Sequence, residues 1–417
     1  MWLDNTFLKN RGIYSICSSN EKVLDASIEF AKEKEDFLLI EATCHQVNQF
    51  GGYTNMMPES FSQKIFKKVE EMKFSPEKLL LGGDHLGPEP WKNEYADTAM
   101  DKARQLIIEF VKNGFDKIHL DCSMPLRGDN HFSTTLVADR EAELCAVAEE
   151  TYSKYRRGDK YPVYVVGTEV PAPGGNTKEV LEVTSVEELD KTIEELQKSF
   201  DKFGIKSAWD RVIAIVVRLG IGFKNDNISE YDNEKTKELC AHLNKHYPSI
   251  YFEAHSTDYQ TLKSLKQMVK DGIRILKVGP ALTYAYRRSL FSLSFIEREF
   301  LNEEEQSKLL EKIIDIMNEY PKYWQDYYKG DERKIRLDQM YSYFDRIRYY
   351  WSFEDIEKVT SHLIENLKDM PLNLIYQYLP EQYEKIRENK IKNDPNELIK
   401  YEIKKVLNNY YKSTRPS

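Results

Sequence analysis

Along residues 1–300, short runs dominated by Val, Ile, Leu and aromatic residues alternate with longer stretches whose apolar positions recur every three or four residues. The first pattern fits strands buried on both faces, and the second fits helices that turn one apolar stripe towards a core. Strands are therefore predicted at Gly12–Ser19, Phe37–Thr43, within Leu79–Trp91, and at Phe115–Ser123, Tyr161–Pro171, Arg211–Val217, Ile250–Thr257 and Ile273–Gly279. Helices are predicted between and after them at Glu21–Lys34, Pro58–Met72, Asn93–Asn113, Ala138–Tyr155, Ser185–Phe203, Asn233–Lys245, Tyr259–Lys270 and Ala281–Phe300. Local punctuation agrees. Pro58 suits a first helical turn, Gly114 and Gly272 stop helices, and Ser185 with Glu188 spells a capping box.

Eight strands alternating with eight helices, joined by right-handed crossovers, predict a closed (β/α)8 TIM barrel over residues 1–300. An open, doubly wound sheet is the alternative, but no GxGxxG loop follows the first strand. From residue 301 to residue 417 the strand pattern stops. The chain becomes charged, helical and rich in aromatic residues, as in YPKYWQDYY and DRIRYYW, and reads as an α-helical appendage packed on the barrel or on a partner.

Composition narrows the function classes. The 417 residues are 41% hydrophobic, enough for a large core, and the net charge of −9 argues against a globally basic nucleic-acid surface. The amino terminus lacks the apolar core of a signal peptide and no stretch has the length of an apolar membrane span, so a cytoplasmic location without membrane contact is expected. Five scattered cysteines, none in a CxxC arrangement, read as reduced thiols.

Candidate chemistry collects at the carboxyl ends of the predicted strands, which meet at one mouth of a barrel. The third strand delivers Asp84 and His85 into a Gly/Pro-rich loop, the fourth ends in Asp121, the fifth carries Glu169, and the seventh carries Glu253 and His255. Two imidazoles with a carboxylate suit a divalent transition metal with open positions for a sugar oxygen. For either histidine alone, a buried and hydrogen-bonded ring is the alternative, and Asp121 equally suits support of its own loop. Glu41, an acid inside the apolar second strand, is either a catalytic group or half of a structural ion pair. After the last two strands, Ser256, Thr257, Gly279 and Arg287 offer hydroxyls, backbone amides and a cation to a phosphate, although Ser256 and Thr257 also suit ordinary caps. Arg346 and Arg348, set among Tyr349, Tyr350 and Trp351, either clamp that phosphate from the appendage or belong to an aromatic docking surface.

The motifs GGDHLGP, HLDCSMP, GTEVPAPGG, EAHSTDYQ, LKVGPALTYAYR and DRIRYYW resemble those of the non-catalytic, Z-type subunit family of class II tagatose-bisphosphate aldolase, over nearly the whole chain. The resemblance implies a TIM barrel in tagatose-phosphate metabolism, a class II aldolase chain as partner, and in some relatives a metal-dependent 4-epimerase of ketohexose 6-phosphates. A more distant resemblance to catalytic class II aldolases implies a proton-transferring Asp84, and His85 and His255 as metal ligands; Glu169 or another carboxylate would complete the set. The sixth-strand histidine of those enzymes has no counterpart in VVRLG, nor does their Asn after the eighth strand. The expectation is therefore an epimerase of tagatose 6-phosphate and fructose 6-phosphate using Zn, Mn, Ni or Co, with Asp84, Asp121 and Glu41 as catalytic groups; epimerisation runs by retro-aldol cleavage or by hydride transfer. The alternative is a non-catalytic subunit that stabilises an aldolase chain. A homo-oligomer is expected in either case.

Overall fold

The computed structural model describes residues 3–156, 161–168 and 182–415. Eight parallel strands close into a barrel in chain order, Ile13–Ile16, Leu38–Thr43, Leu79–Leu86, Lys117–Leu120, Val163–Val166, Val212–Val216, Tyr251–Ala254 and Ile273–Val278, with the first hydrogen-bonded to the eighth. They are the eight strands expected, mostly shorter. Several predicted ranges, such as Gly12–Ser19 and Phe115–Ser123, had included flanking residues that lie outside the strands Ile13–Ile16 and Lys117–Leu120. Every expected helix forms, with ends shifted by a few residues, as in Ala96–Lys112, Thr134–Tyr155 and Leu262–Lys270. A helix at Asn5–Asn10 and a small antiparallel hairpin, Gly222–Phe223 with Ile228–Ser229, were not expected.

The capping box forms as spelled. Ser185 accepts the Glu188 N–H at 3.2 Å while the Glu188 carboxylate accepts the Ser185 N–H at 2.8 Å. Replacing Ser185 with alanine is expected to cost about 1 kcal/mol in a denaturation experiment; no change would mean that the helix start is held by its packing alone.

Period-two alternation sorts each strand into an outer and an inner face. Outward residues such as Ile16, Leu38, Ile40, Ile118, Leu120, Phe252 and Val278 pack under the helices. Inward residues form layers. The lowest is apolar, with Ile13, Leu39, Leu80, Val163, Tyr251 and Ile275, and Leu8 of the amino-terminal helix belongs to the same cluster. Above it, two residues further along each strand, lie Ser15, Glu41, Gly82, Lys117 and Glu253, joined by Lys277. Two residues further again come Cys17, Thr43, Asp84, His119 and His255. Gly82 is dictated by this layering, because a Cβ there would stand 2.7 Å from Cγ of Glu41.

The carboxyl-terminal third is helical from Leu309 to Ser413 and returns to the barrel. Its last helix, Pro395–Ser413, packs on Glu21–Glu33, Leu262–Lys270 and Pro280–Phe300; the Tyr410 hydroxyl donates to the Thr257 carbonyl at 2.9 Å, and Gly12 N–H donates to the Thr414 carbonyl at 3.1 Å. A second return, residues 342–349, crosses the barrel mouth. Asp345 is held there by Arg287 at 2.9 Å, Tyr343 N–H donates to Asn225 O, and the Tyr259 hydroxyl donates to Tyr343 O. Among the described residues no helix is long and apolar enough to cross a membrane.

Candidate metal and sugar-phosphate site

The third strand ends in Asp84 and His85, and His85 adopts φ +50°, a left-handed conformation that costs energy for a non-glycine residue and recurs at functional sites. Its backbone N–H lies 3.0 Å from Nδ1 of His119, and the same Nδ1 lies 2.9 Å from Asp84 Oδ1; a neutral His119 that donates to that carboxylate keeps its lone pair on Nε2. The ring Nδ1 of His85 lies 2.7 Å from Asp121 Oδ2, and the other Asp121 oxygen accepts the backbone N–H and hydroxyl of Ser123. On the opposite side Nε2 of His255 lies 3.1 Å from Glu253 Oε1. A carboxylate behind each ring fixes which nitrogen carries the proton. His85 is left with a lone pair on Nε2 and His255 with one on Nδ1, and these two atoms face each other at 3.1 Å.

Two lone pairs at that distance repel unless a cation lies between them. Without a metal a proton serves: burial disfavours a charged His85, but Asp84 and Asp121 prevail and lift it to about 9, while burial holds His255 below its usual range. A metal ion would serve equally. Nitrogen ligands about 2.0–2.1 Å from a tetrahedral ion stand roughly 3.3 Å apart. His119 joins them, its ring centroid 5.1 Å from that of His85 and 5.0 Å from that of His255, and its fully buried Nε2 has no hydrogen-bond partner among the described residues. Donor atoms of Asp84, His85, His119 and His255 all lie within 4.8 Å of one another.

The layer beneath is ionic. Lys117 Nζ lies 2.6 Å from Glu41 Oε1 and 2.7 Å from Glu253 Oε2, and Lys277 Nζ bonds Glu41 and lies 2.8 Å from Asp84 Oδ1. Burial pulls the Lys277 ammonium down to about 8. Burial would raise Asp84 and Glu253. The imidazoles hold Asp84 far below the carboxylate range, and Lys117 with His255 holds Glu253 at about 2. With neutral imidazoles, the four carboxylates Glu41, Asp84, Asp121 and Glu253 face two ammoniums, an excess of negative charge that a divalent cation would balance. The residues therefore fit such an ion on donor type, spacing and charge.

Above this set is a chamber of about 100 Å³ lined by Asp84, His85, His255, Ser256, Lys277, Gly279, His45, Tyr349 and Arg348 among others. It adjoins a wider antechamber of about 570 Å³ that shares Cys17, Gln46, Tyr53, Gly279 and Arg348. Arg348 stands at the join, half-buried, donating to the Phe344 and Asp345 carbonyls and to the Tyr349 hydroxyl; its Nε–H has no partner among the described residues.

Asp84, His85, Asp121 and His255 thus converge, and Ser256, Gly279 and Arg348 line the chamber above them. Glu41 lies one layer below as half of an ion pair, away from the chamber wall. Three of the phosphate candidates lie buried away from the chamber wall. Thr257 is sealed under the last helix, bonded to the Lys277 carbonyl and Tyr410; Arg287 is spent on Asp345 and the Tyr284 ring; Arg346 lies buried over the Tyr327 ring, 3.1 Å from its centroid. The helix start at Gly279 is also taken, since Asp258 accepts the Gly279 and Ala281 N–H groups. Glu169 lies outside the described residues, and the third imidazole among them is His119, which the sequence reading passed over. Lys117, Lys277, His45 and Tyr349 were missed as well. For Lys117 and His119 a signal was available: in KIHLD every second residue is polar within an apolar run.

Residues 4–415 match the family described as D-tagatose-1,6-bisphosphate aldolase subunit GatZ/KbaZ-like. The chain belongs to that family. It is also similar to the crystal structure of a probable tagatose 6 phosphate kinase from Sinorhizobium meliloti 1021, with 38% identity, a TM-score of 0.88, and coverage of 97% of this chain and 100% of that one. Fructose-bisphosphate aldolase from Campylobacter jejuni, at 13% identity and a TM-score of 0.50 over 85% of this chain and 93% of that one, shares the fold.

Proposed function

We propose that this GatZ/KbaZ-like chain is a divalent-metal-dependent 4-epimerase of ketohexose 6-phosphates, interconverting tagatose 6-phosphate and fructose 6-phosphate. The observation that carries the reading is the pair of ring nitrogens, Nε2 of His85 and Nδ1 of His255, that face each other at 3.1 Å with a carboxylate behind each ring. His85, His119 and His255 would hold the ion, with Glu169 a further candidate ligand. When bound, the ion supplies Lewis-acid stabilisation of negative charge on the sugar's oxygens.

The chain's own groups supply the rest. Arg348, at the join of the two chambers, takes the phosphate through its Nε–H, which has no partner among the described residues, and the Ser256 hydroxyl lines the same chamber. The inner chamber is too small for a whole hexose phosphate, so the reacting carbons enter it while the phosphate stays at the join. The Asp84 carboxylate, steadied by Lys277, accepts the C4 hydroxyl proton. The C4 carbonyl forms as the C3–C4 electron pair passes to C3 and the C2 carbonyl; the freed aldehyde turns, and C3 attacks its other face. This route needs a base and an electron sink, and the chamber offers both.

Kinase chemistry has no support in the sequence, which contains no GxxxxGK[ST] phosphate loop. The family description does support a second reading, a subunit that stabilises an aldolase chain. Phe50 and Met57, 65% and 54% exposed beside a groove outside the barrel, are apolar surface for such a partner. The test is to purify the chain alone, measure bound metal, and incubate it with each sugar phosphate. Metal-dependent interconversion that stops on chelation and returns with added ion is expected. Inactivity of the metal-loaded chain on both sugars, with tight binding to a class II aldolase, would leave only the second reading.

A further inference from the structure

Epimerisation by cleavage and re-addition needs protons at two places. Before cleavage the C4 oxygen points one way; after the aldehyde turns, the same oxygen points elsewhere in the chamber. A single fixed base cannot reach both positions. Asp84 stands on the floor, at the end of the third strand. The roof comes from the turn Arg346–Tyr349, anchored through Asp345 to Arg287, and it brings Tyr349 to the same small chamber.

The phenol oxygen of Tyr349 accepts N–H groups from Arg348 Nη2 at 2.9 Å and Arg346 Nη1 at 3.1 Å. Two donors occupy its two lone pairs, which leaves the O–H as a donor on a residue that lines the chamber and cradles the phenolate once the proton has gone. The ring is fixed by packing as well. It stacks on Tyr323 with centroids 5.0 Å apart and planes within 6°, and it meets Tyr53 at 4.6 Å. Arg346 and Arg348 face the phenol from its own turn, Tyr53 from the loop after the second strand, and Tyr323 from the turn that also carries Lys322. Glu89, from the turn after the third strand, opposes ionisation. Burial also opposes it, and Arg348 followed by Arg346 outweighs both, so the phenol titrates below its usual range.

We infer that Tyr349 is the second acid–base group of the site, exchanging a proton with the C4 oxygen of the epimer whose hydroxyl points away from Asp84. The inference rests on the epimerase reading. Asp84 takes the C4 hydroxyl proton as the C3–C4 bond breaks and its electron pair passes to the C3–C2 enolate. After the aldehyde turns, that pair forms the new C3–C4 bond, and the C4 alkoxide takes the Tyr349 proton. The resulting phenolate is held by the two guanidiniums, and the proton on Asp84 returns to it through solvent. No oxidant or co-reactant is consumed.

Tyr349→Phe in the full metal-loaded chain is expected to lower kcat by about 100-fold or more while KM stays within about threefold. An ultraviolet titration should show one phenol of the wild-type chain ionising below the rest, and that step should be missing in Tyr349→Phe. Arg348→Lys keeps the phenol but removes one guanidinium, and should shift the corresponding limb of the kcat pH profile to higher pH. A kcat within threefold of wild type, a change in KM alone, or a loss confined to His45→Asn or Tyr53→Phe, two further ionisable side chains that line the chamber, would overturn the assignment while leaving the epimerase intact. A wild-type chain inactive on both sugar phosphates would overturn the epimerase reading, and this inference with it.

Discussion

Replacing Lys117 with methionine is expected to destabilise the protein by about 3–5 kcal/mol, the cost of breaking a buried ion pair from one side. Lys117 is fully buried in the middle layer of the barrel and bridges Glu41 and Glu253 at 2.6 and 2.7 Å. Without it, Lys277 alone faces Glu41, Asp84 and Glu253. Methionine fills much of the same volume, so the loss reports charge rather than a cavity. Urea unfolding at neutral pH, extrapolated to water, measures it. Adding Glu253→Gln to the same chain should recover part of the loss, because it removes one of the stranded charges. A loss below about 1 kcal/mol would mean that water or relaxation screens these carboxylates and that the ionic layer is not holding the barrel.

The same layer explains what could be seen from the sequence. The eight strands and eight helices were visible because apolar runs and apolar stripes are local signals, and closure follows from their number and handedness. Asp84, His85, Asp121 and His255 were visible because each ends an apolar run. His119 and Lys117 were not, because a polar residue inside such a run looks like an interruption until its neighbours two positions away are seen to share its face. Arg287 misled in the opposite direction. It sits beside a helix start that suits a phosphate, but Asp345, from a distant part of the chain, claims it. That same pairing positions Arg348 and Tyr349 over the mouth, a place that the sequence offered as one alternative for Arg348 and that no local pattern in DRIRYYW reveals for Tyr349.

The largest effect on function is expected at the three imidazoles. His255→Ala removes one of the two nitrogens that face each other across the proposed ion position, and it should leave the purified chain without stoichiometric metal and without measurable epimerase turnover. Asp121→Asn tests the layer behind. It keeps the shape but weakens the acceptor that orients His85, and a loss of about 10- to 100-fold in metal affinity or turnover is expected. The two variants should therefore rank in that order, by metal analysis after dialysis and by turnover of each sugar phosphate. Retention of metal and activity in His255→Ala would remove this ligand set. The third position is decided by comparing His119→Ala with Glu169→Gln. His119 is the candidate with a chemical argument, because its Nε2 is buried without a partner among the described residues, a cost of about 1–3 kcal/mol that a bound ion would relieve. If metal is lost in His119→Ala and kept in Glu169→Gln, the site is a three-histidine centre. In that case the imidazole missing from the sixth strand is supplied by the fourth, and the lack of a histidine in VVRLG is no argument against catalysis.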